Sequence, residues 1–406
     1  MSKPYTTPDV YVTEVSTLPP SVVQVATAIP AFIGYVEKAL DDNGKSIDVG
    51  IEVKNGKGVS NGKSIVTRRI GSMLEYEQYF GLGAPQAGTV EKIASAADPT
   101  KSSLKFTPDA QPHFLYYALQ HFYANGGGEA YIVAVGTYGD TPQASDFQKG
   151  IAKTEELDEV TLLLAPEASQ LAVIVTPANP DAKPPTPKKI ESAYYASVVG
   201  DMLSQAKKLG DRFVLIDPVV NDDKGLQFAQ DTFYSLLRDN VTGTVDQLKY
   251  GAAYYPQLNS SIAPAVSAPA MIKLIGFGDA YSSLDKLGVA TAEYAQVLSF
   301  LAQQTLTLPP SAAIAGVYAQ TDAARGVWKA PANVPLAAVN GPAVIVTAEQ
   351  QGKFNVDATA GKSINVIRAF TGQGSLVWGA RTLAGNSNEW RYINVRRLFN
   401  MVEESV

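Results

Sequence analysis

The sequence predicts an α/β protein of more than one folding unit: a mixed, partly parallel sheet with helices on its faces, a smaller β-rich surface insertion and an extended N-terminal arm. Three observations carry this expectation. Between residues 151 and 220, short β-branched runs alternate with helix-length segments, the rhythm of βαβ units and so of parallel strand pairing. At 406 residues the chain is too long for one minimal core and suggests two or three units. Polar, glycine-rich stretches at 40–63 and 88–112 interrupt it early, as hairpins or loops of a surface decoration do.

Taken in order, residues 1–20 form the arm. They hold four prolines and too little apolar surface to fold alone. Within them Asp9, Val10, Tyr11, Val12, Thr13, Glu14 and Val15 have the residue types of a strand that seeks a sheet edge. The core unit is assigned to 21–36 and 109–350, the surface insertion to 37–108, and a strand–strand–helix unit to 351–406. Residues 22–36 are the first run apolar enough for a buried strand, interrupted by Pro30. Residues 72–80 read as a short helix stopped by Gly81-Leu82-Gly83. Residues 113–125 carry aromatic and aliphatic side chains at helical spacing and end at Gly126-Gly127-Gly128, before a strand at 130–135. That triplet closes a helix and opens a strand, whereas a phosphate loop does the reverse. Strands follow at 160–165, 212–218 and 250–255, with helices at 190–209, 226–240 and 291–306. Pro309-Pro310 stops the last helix, and 311–346 leads back to the C-terminal unit through Pro331, Pro335 and Pro342.

In that final unit, 363–370 reads as a strand, Gln373-Gly374 as a turn and 376–383 as a second extended run. A break at 385–387 with helix-capping chemistry precedes a helix over 388–404. Trp390, Ile393, Val395, Leu398, Phe399 and Val402 recur at three- and four-residue spacing. One face is therefore apolar, and Arg391, Arg396, Arg397 and Asn400 are expected away from it.

Composition narrows the function. A hydrophobic content of 46% with 18% charged residues describes an ordinary globular chain. No run approaches eighteen apolar residues, and the first ten residues lack the apolar core of a signal peptide, so cytoplasmic synthesis is expected. Cysteine is absent, which removes disulfide scaffolds, thiolate metal sites and cysteine nucleophiles. The net charge of −6 argues against nucleic acid as the main partner. From Gly361 onward Lys362, Arg368, Arg381, Arg391, Arg396 and Arg397 outnumber Glu389, Glu403 and Glu404, so the last unit is basic within an acidic chain. That excess reads either as a solvated helix face or as a docking surface.

Signatures of chemistry fail on context. Ser283-Leu284-Asp285-Lys286 and Ser60-Asn61-Gly62-Lys63 satisfy S-x-x-K without its companion motifs. The two histidines, His113 and His121, belong to no H-E-x-x-H pattern and read as aromatic-face residues. G-x-S-x-G and Walker A patterns are missing, and the pairs Glu155-Glu156, Asp222-Asp223 and Glu403-Glu404 are adjacent in sequence, as solvated acids are. No catalytic residue, cofactor or metal ligand is assigned.

Several stretches resemble the tail sheath proteins of contractile phages and phage-derived injection systems. They are INVIRAF at 364–370, WGARTL at 378–383, EWRYINVRRLF at 389–399, VYAQTDAARGVWKAPAN at 317–333, FYANGGG at 122–128 and the PxVYVxE pattern at 8–14. The resemblance implies a structural subunit, not an enzyme, that stacks as hexameric rings around an inner tube and contracts without nucleotide hydrolysis. The implied partners are other copies or sheath paralogues, the inner tube protein, and baseplate and terminator proteins, with neither nucleic acid nor membrane insertion. It also implies arms that link neighbours and an acidic tube exterior, which makes Arg391, Arg396 and Arg397 candidates for facing the tube. Relatives usually continue past the equivalent of Val406 into a further segment and arm. The 406 residues alone are therefore expected to be a monomer or weak oligomer. The competing expectation is an α/β enzyme or ligand-binding protein with an unrecognised site.

Overall fold

The computed structural model describes residues 26–50, 53–54, 57–58, 64–94, 102–109, 113–171, 173–176, 189–191, 193–217, 237–357 and 359–405. The arm residues Asp9–Val15, the link at 177–187 and most of the helix expected at 226–240 lie outside them.

The apolar runs become strands whose two faces are both covered. Strand β1, Pro30–Val36, is buried at every position, the mark of a central strand in a parallel sheet. It is followed by β2 (Val66–Ile70), β3 (Ala130–Thr137), β4 (Leu162–Leu164), β5 (Phe213–Ile216) and β6 (Gly251–Tyr255), then β7 (Val334–Pro335), β8 (Ile364–Phe370) and β9 (Gly374–Val377). Among the described residues these build a nine-stranded sheet in the order β7-β9-β8-β6-β5-β4-β1-β3-β2. From β8 through to β3 every neighbouring pair is parallel. The edges turn antiparallel, β2 against β3 at one side and the β8–β9 hairpin with β7 at the other.

Among the described residues the helices of eight residues or more are α1 (Met73–Phe80), α2 (Leu115–Ala124), α3 (Ala144–Thr154), α4 (Ala193–Leu209), α5 (Ala292–Leu301), α6 (Ser311–Arg325), α7 (Ala348–Asn355) and α8 (Ile393–Ser405). On one face of the sheet Phe147 and Ile151 of α3 and Val198, Met202 and Leu203 of α4 pack on Ile33, Val133 and Val214. On the other, Leu115, Leu119 and Phe122 of α2 and Ile314, Val317 and Tyr318 of α6 pack on Phe32, Ile132 and Leu215. The sequence assigns residues 311–325 only to the path back to the C-terminal unit, with no helix. They form instead the most deeply set helix, whose Ala312, Ala313, Ala315 and Gly316 are all buried. A Cβ on Gly316 would stand 2.5 Å from the Phe122 carbonyl, so α6 and α2 cross at a distance that only glycine permits.

The insertion expected at 37–108 divides between two places. Its residues 66–80 belong to the main body: β2 pairs with β3, and Tyr76 and Phe80 of α1 enter the core. Gly88–Ala94 and Ser102–Pro108 form a hairpin, and Ile272–Ile275, assigned by sequence to the core, runs parallel to Gly88–Glu91. Val90, Ile272 and Leu274 pack on Leu284, Leu287, Val297 and Leu301 as a separate small core. The reason is that parallel pairing joins strands far apart in sequence, which composition along the chain does not register.

In the C-terminal unit the second extended run stops at Val377. Beyond it the Asn365 side chain takes over the backbone of Arg381: its Nδ2 donates to the Arg381 carbonyl at 2.8 Å, and its Oδ1 accepts from the Arg381 amide at 2.7 Å. Helix α8 begins at Ile393, five residues later than the pattern suggests. Residues 387–392 are held extended and turned by the Trp390 amide donating to Ser387 Oγ at 3.1 Å and by a bridge between Arg381 and Tyr392.

Candidate assembly surface at the C-terminal helix

Helix α8 packs on the body through its polar side, which corrects the expected orientation. Arg396, Arg397 and Asn400 are buried, the two arginines at 1% and 3% exposure, whereas Phe399 and Val402 are each 45% exposed. Periodicity marks two faces but not which one turns inward. Here the body offers carboxylates and carbonyls, so the cationic face is the complementary one.

Arg397 reaches α6. Its Nη1 donates to Asp322 Oδ1 at 3.0 Å and its Nη2 to Asp322 Oδ2 at 2.5 Å, the fork-on-fork geometry that suits a buried guanidinium. The same Nη2 donates to the Thr27 carbonyl at 2.7 Å, and Thr27 Oγ1 donates to Asp322 Oδ2 at 2.6 Å. The guanidinium lies 4.5 Å over the ring of Tyr318, whose hydroxyl shares a 2.7 Å hydrogen bond with that of Tyr254 on β6. One cluster therefore joins the chain entering at Thr27, the deep helix α6, the sheet and α8.

Arg396 makes a second cluster. Its Nε donates to Asn400 Oδ1 at 2.7 Å and its Nη2 to Glu403 at 2.6 Å, while its guanidinium stands 4.7 Å from Trp390 and 4.9 Å from Tyr250. Asn400 Nδ2 donates to the Arg212 carbonyl at 3.1 Å. Arg391 differs from both. It is half-buried, with Nε donating to the Ser387 carbonyl at 3.1 Å. Of the three arginines named as tube-facing candidates, Arg396 and Arg397 are thus engaged inside the subunit, and Arg391 alone has surface to offer.

The remaining sequence candidates fall in structural roles. His121 is fully buried on α2, and burial pulls its imidazole down to about 4. His113, also buried, stacks on Tyr138 with ring centroids 5.3 Å apart. Ser283 Oγ bonds Asp285 at 2.5 Å and Lys286 Nζ pairs with the same carboxylate at 3.3 Å, a local turn. Gly126 has φ +90 and the Gly127 amide donates to the Phe122 carbonyl at 3.0 Å, a helix stop. Ser60 to Lys63 lie outside the described residues. Among the described residues no group of three or more histidine, aspartate or glutamate side chains stands together as metal ligands do. The buried carboxylates Glu167, Asp217 and Asp322 had no signal in the sequence beyond following or interrupting apolar runs.

The fold has clear counterparts. The chain is similar to a chain of the anti-feeding prophage (AFP) baseplate, with a TM-score of 0.53 and 28% identity over 98% of its own length and 74% of that chain. It is similar to the AFP helical sheath in its contracted state, with a TM-score of 0.53 and 26% identity over 99% and 75%. A PVC sheath complex in the contracted state, from an extracellular contractile injection system, gives a TM-score of 0.51 and 26% identity over 100% and 74%. A tail sheath protein of Vibrio phage KVP40 is 31% identical over 99 residues, 24% of this chain and 14% of that protein. Over nearly its whole length the chain is similar to contractile sheath subunits. No family model matches it.

Proposed function

We propose that this chain polymerises as stacked hexameric rings around an inner tube and that contraction drives the tube through a target envelope. The observation that supports it most is the likeness, over 98% or more of the chain, to subunits of contractile sheath and baseplate assemblies. Partners are then further copies or sheath paralogues, the tube protein, and baseplate and terminator proteins. The particle is a phage tail or a tail-like injection device. Contraction needs no nucleotide: an extended lattice that is a metastable packing relaxes to one with more buried interface. The arm at Asp9–Val15 adds as a strand to a neighbour, and contact with the tube falls to Arg391 among the three arginines. Co-expression with a tube protein of a contractile system, followed by electron microscopy, tests the reading. Sheathed tubes are expected. Dispersed particles together with a nucleotide-dependent rise in melting temperature would favour an α/β enzyme.

A further inference from the structure

The sheet has the topology of a ligand-binding scaffold. After β1 the chain passes through the edge strand β2 to β3 on one side of it, whereas β4, its neighbour on the opposite side, connects away to β5. The carboxyl ends of β1 and β4 therefore flank a switch point, where open α/β sheets leave a crevice for a ligand. Helix α2 aims its N-terminus at the same place and carries no capping side chain of its own. Free amides at a helix N-terminus favour an anion.

That crevice is filled from within. Glu167, just past β4, is fully buried. Its Oε1 accepts from the amides of Phe114 at 2.8 Å and Leu115 at 3.1 Å, at the start of α2, and its Oε2 accepts from the amide of Tyr35 on β1 at 2.8 Å. Gly34 leaves the room: a Cβ there would stand 2.6 Å from Oε2. The three donors are backbone amides, and among the described residues no lysine or arginine pairs with the carboxylate. The titratable groups around it are Tyr35 from β1, Tyr76 from α1 and Tyr138 beyond β3, with His113 against Tyr35 and Tyr138.

We propose that this is a carboxyl seat which the chain occupies with its own side chain, so that the ligand crevice of the sheet is closed by an internal ligand and admits small carboxylic acids once Glu167 is removed. The occupant is protonated below about pH 8 and ionised above it. The bidentate arrangement, with two amides on one oxygen and one on the other, is how such a seat would hold formate or acetate. Occupied by Glu167, it ties β1, α2 and the turn after β4 into one rigid block.

Burial pushes the Glu167 carboxyl up to about 8 against the pull of its amide donors. The folded state therefore holds a proton that the unfolded chain releases, and this group's contribution to stability falls as pH rises from its ordinary value near 4.5 through about 8. Asp217, raised by burial to about 7, adds a fall of the same sign.

The test is a set of melting curves on the full chain between about pH 5 and about pH 9, taken for the wild type, E167Q, D217N and E167A. Wild type is expected to lose the most melting temperature across the window, and E167Q and D217N each to lose clearly less. E167A is expected to melt lower at every pH and to recover in proportion to added formate, with no such rise in wild type or E167Q. An E167Q profile that follows wild type overturns the proposal, as does an E167A melting temperature indifferent to formate. If E167A does not fold by itself, the yield of folded protein on refolding it with and without formate decides: a higher yield with formate supports the seat, and an equal yield overturns it.

Discussion

Arg397 pairs with Asp322 in the subunit interior, where both side chains are less than a tenth exposed. Such a pair is weak evidence of net stabilisation, yet removing one partner strands the other as a buried charge, at about 3–5 kcal/mol. Arg397→Ala and Asp322→Ala are each expected to lose that much in denaturant unfolding, and the double variant distinctly less than the sum. Additive losses would show that the two side chains act separately. Arg391→Ala, by contrast, is expected to stay within about 0.5 kcal/mol, as surface substitutions do. In the sequence Arg391 and Arg397 have the same standing, because each lies off the apolar stripe and a helical stripe does not carry the identity of its neighbour. Glu167 was invisible for a related reason: a lone glutamate after Leu162–Leu164 and Pro166 reads as a turn residue until three amides are seen to converge on it.

Among the elements, α1 was legible in full. Ser72 Oγ accepts from the Glu75 amide at 3.2 Å, and Gly81 ends the helix at φ 85, both local signals. Ser72→Ala is expected to cost about 1 kcal/mol, the usual worth of an N-cap, read as a shift of the unfolding midpoint with the slope unchanged. Helix α6 was missed although Ile314, Val317 and Tyr318 stand at helical spacing, because it opens directly after Pro309-Pro310 and its start is fixed from elsewhere. Asp217 accepts from the Ser311 amide at 2.7 Å and from Ser311 Oγ at 2.5 Å. The α6–α2 crossing sets two magnitudes against each other at Gly316. Alanine gains about 1 kcal/mol of helix propensity, whereas a methyl forced to 2.5 Å from the Phe122 carbonyl and 2.8 Å from Asn125 Cβ costs about 1–3 kcal/mol as overpacking. The contact is to backbone on a packed helix, which cannot swing aside. Gly316→Ala is therefore expected to lower the melting temperature, and a rise would show that the helices separate freely.

At the scale of the molecule, parallel order was foreseeable from the βαβ rhythm, but the partnership of Gly88–Ala94 with Ile272–Ile275 was not, since nothing local encodes a pairing across that separation. The sheet's first strand starts at Pro30, and the chain is already bonded to α8 and α6 at Thr27. Deleting residues 1–20 is accordingly expected to leave the circular-dichroism melt of the body unchanged while abolishing sheath polymers. Loss of the cooperative transition would place the arm in the subunit's own core. The convergence of Thr27, Asp322 and Arg397 also has a mechanical meaning. Tension entering through the residues before Thr27 meets α8 at Arg397 before it reaches the first ladder hydrogen bond of β1, and from there it passes into α6 at Asp322. The load is shared in shear by two packed helices instead of peeling a strand from its neighbours one bond at a time. The subunit is in that sense anchored like a rope cleated near its fixing point: a tug on its leading segment is borne by a guanidinium–carboxylate fastening, and the sheet behind it is spared.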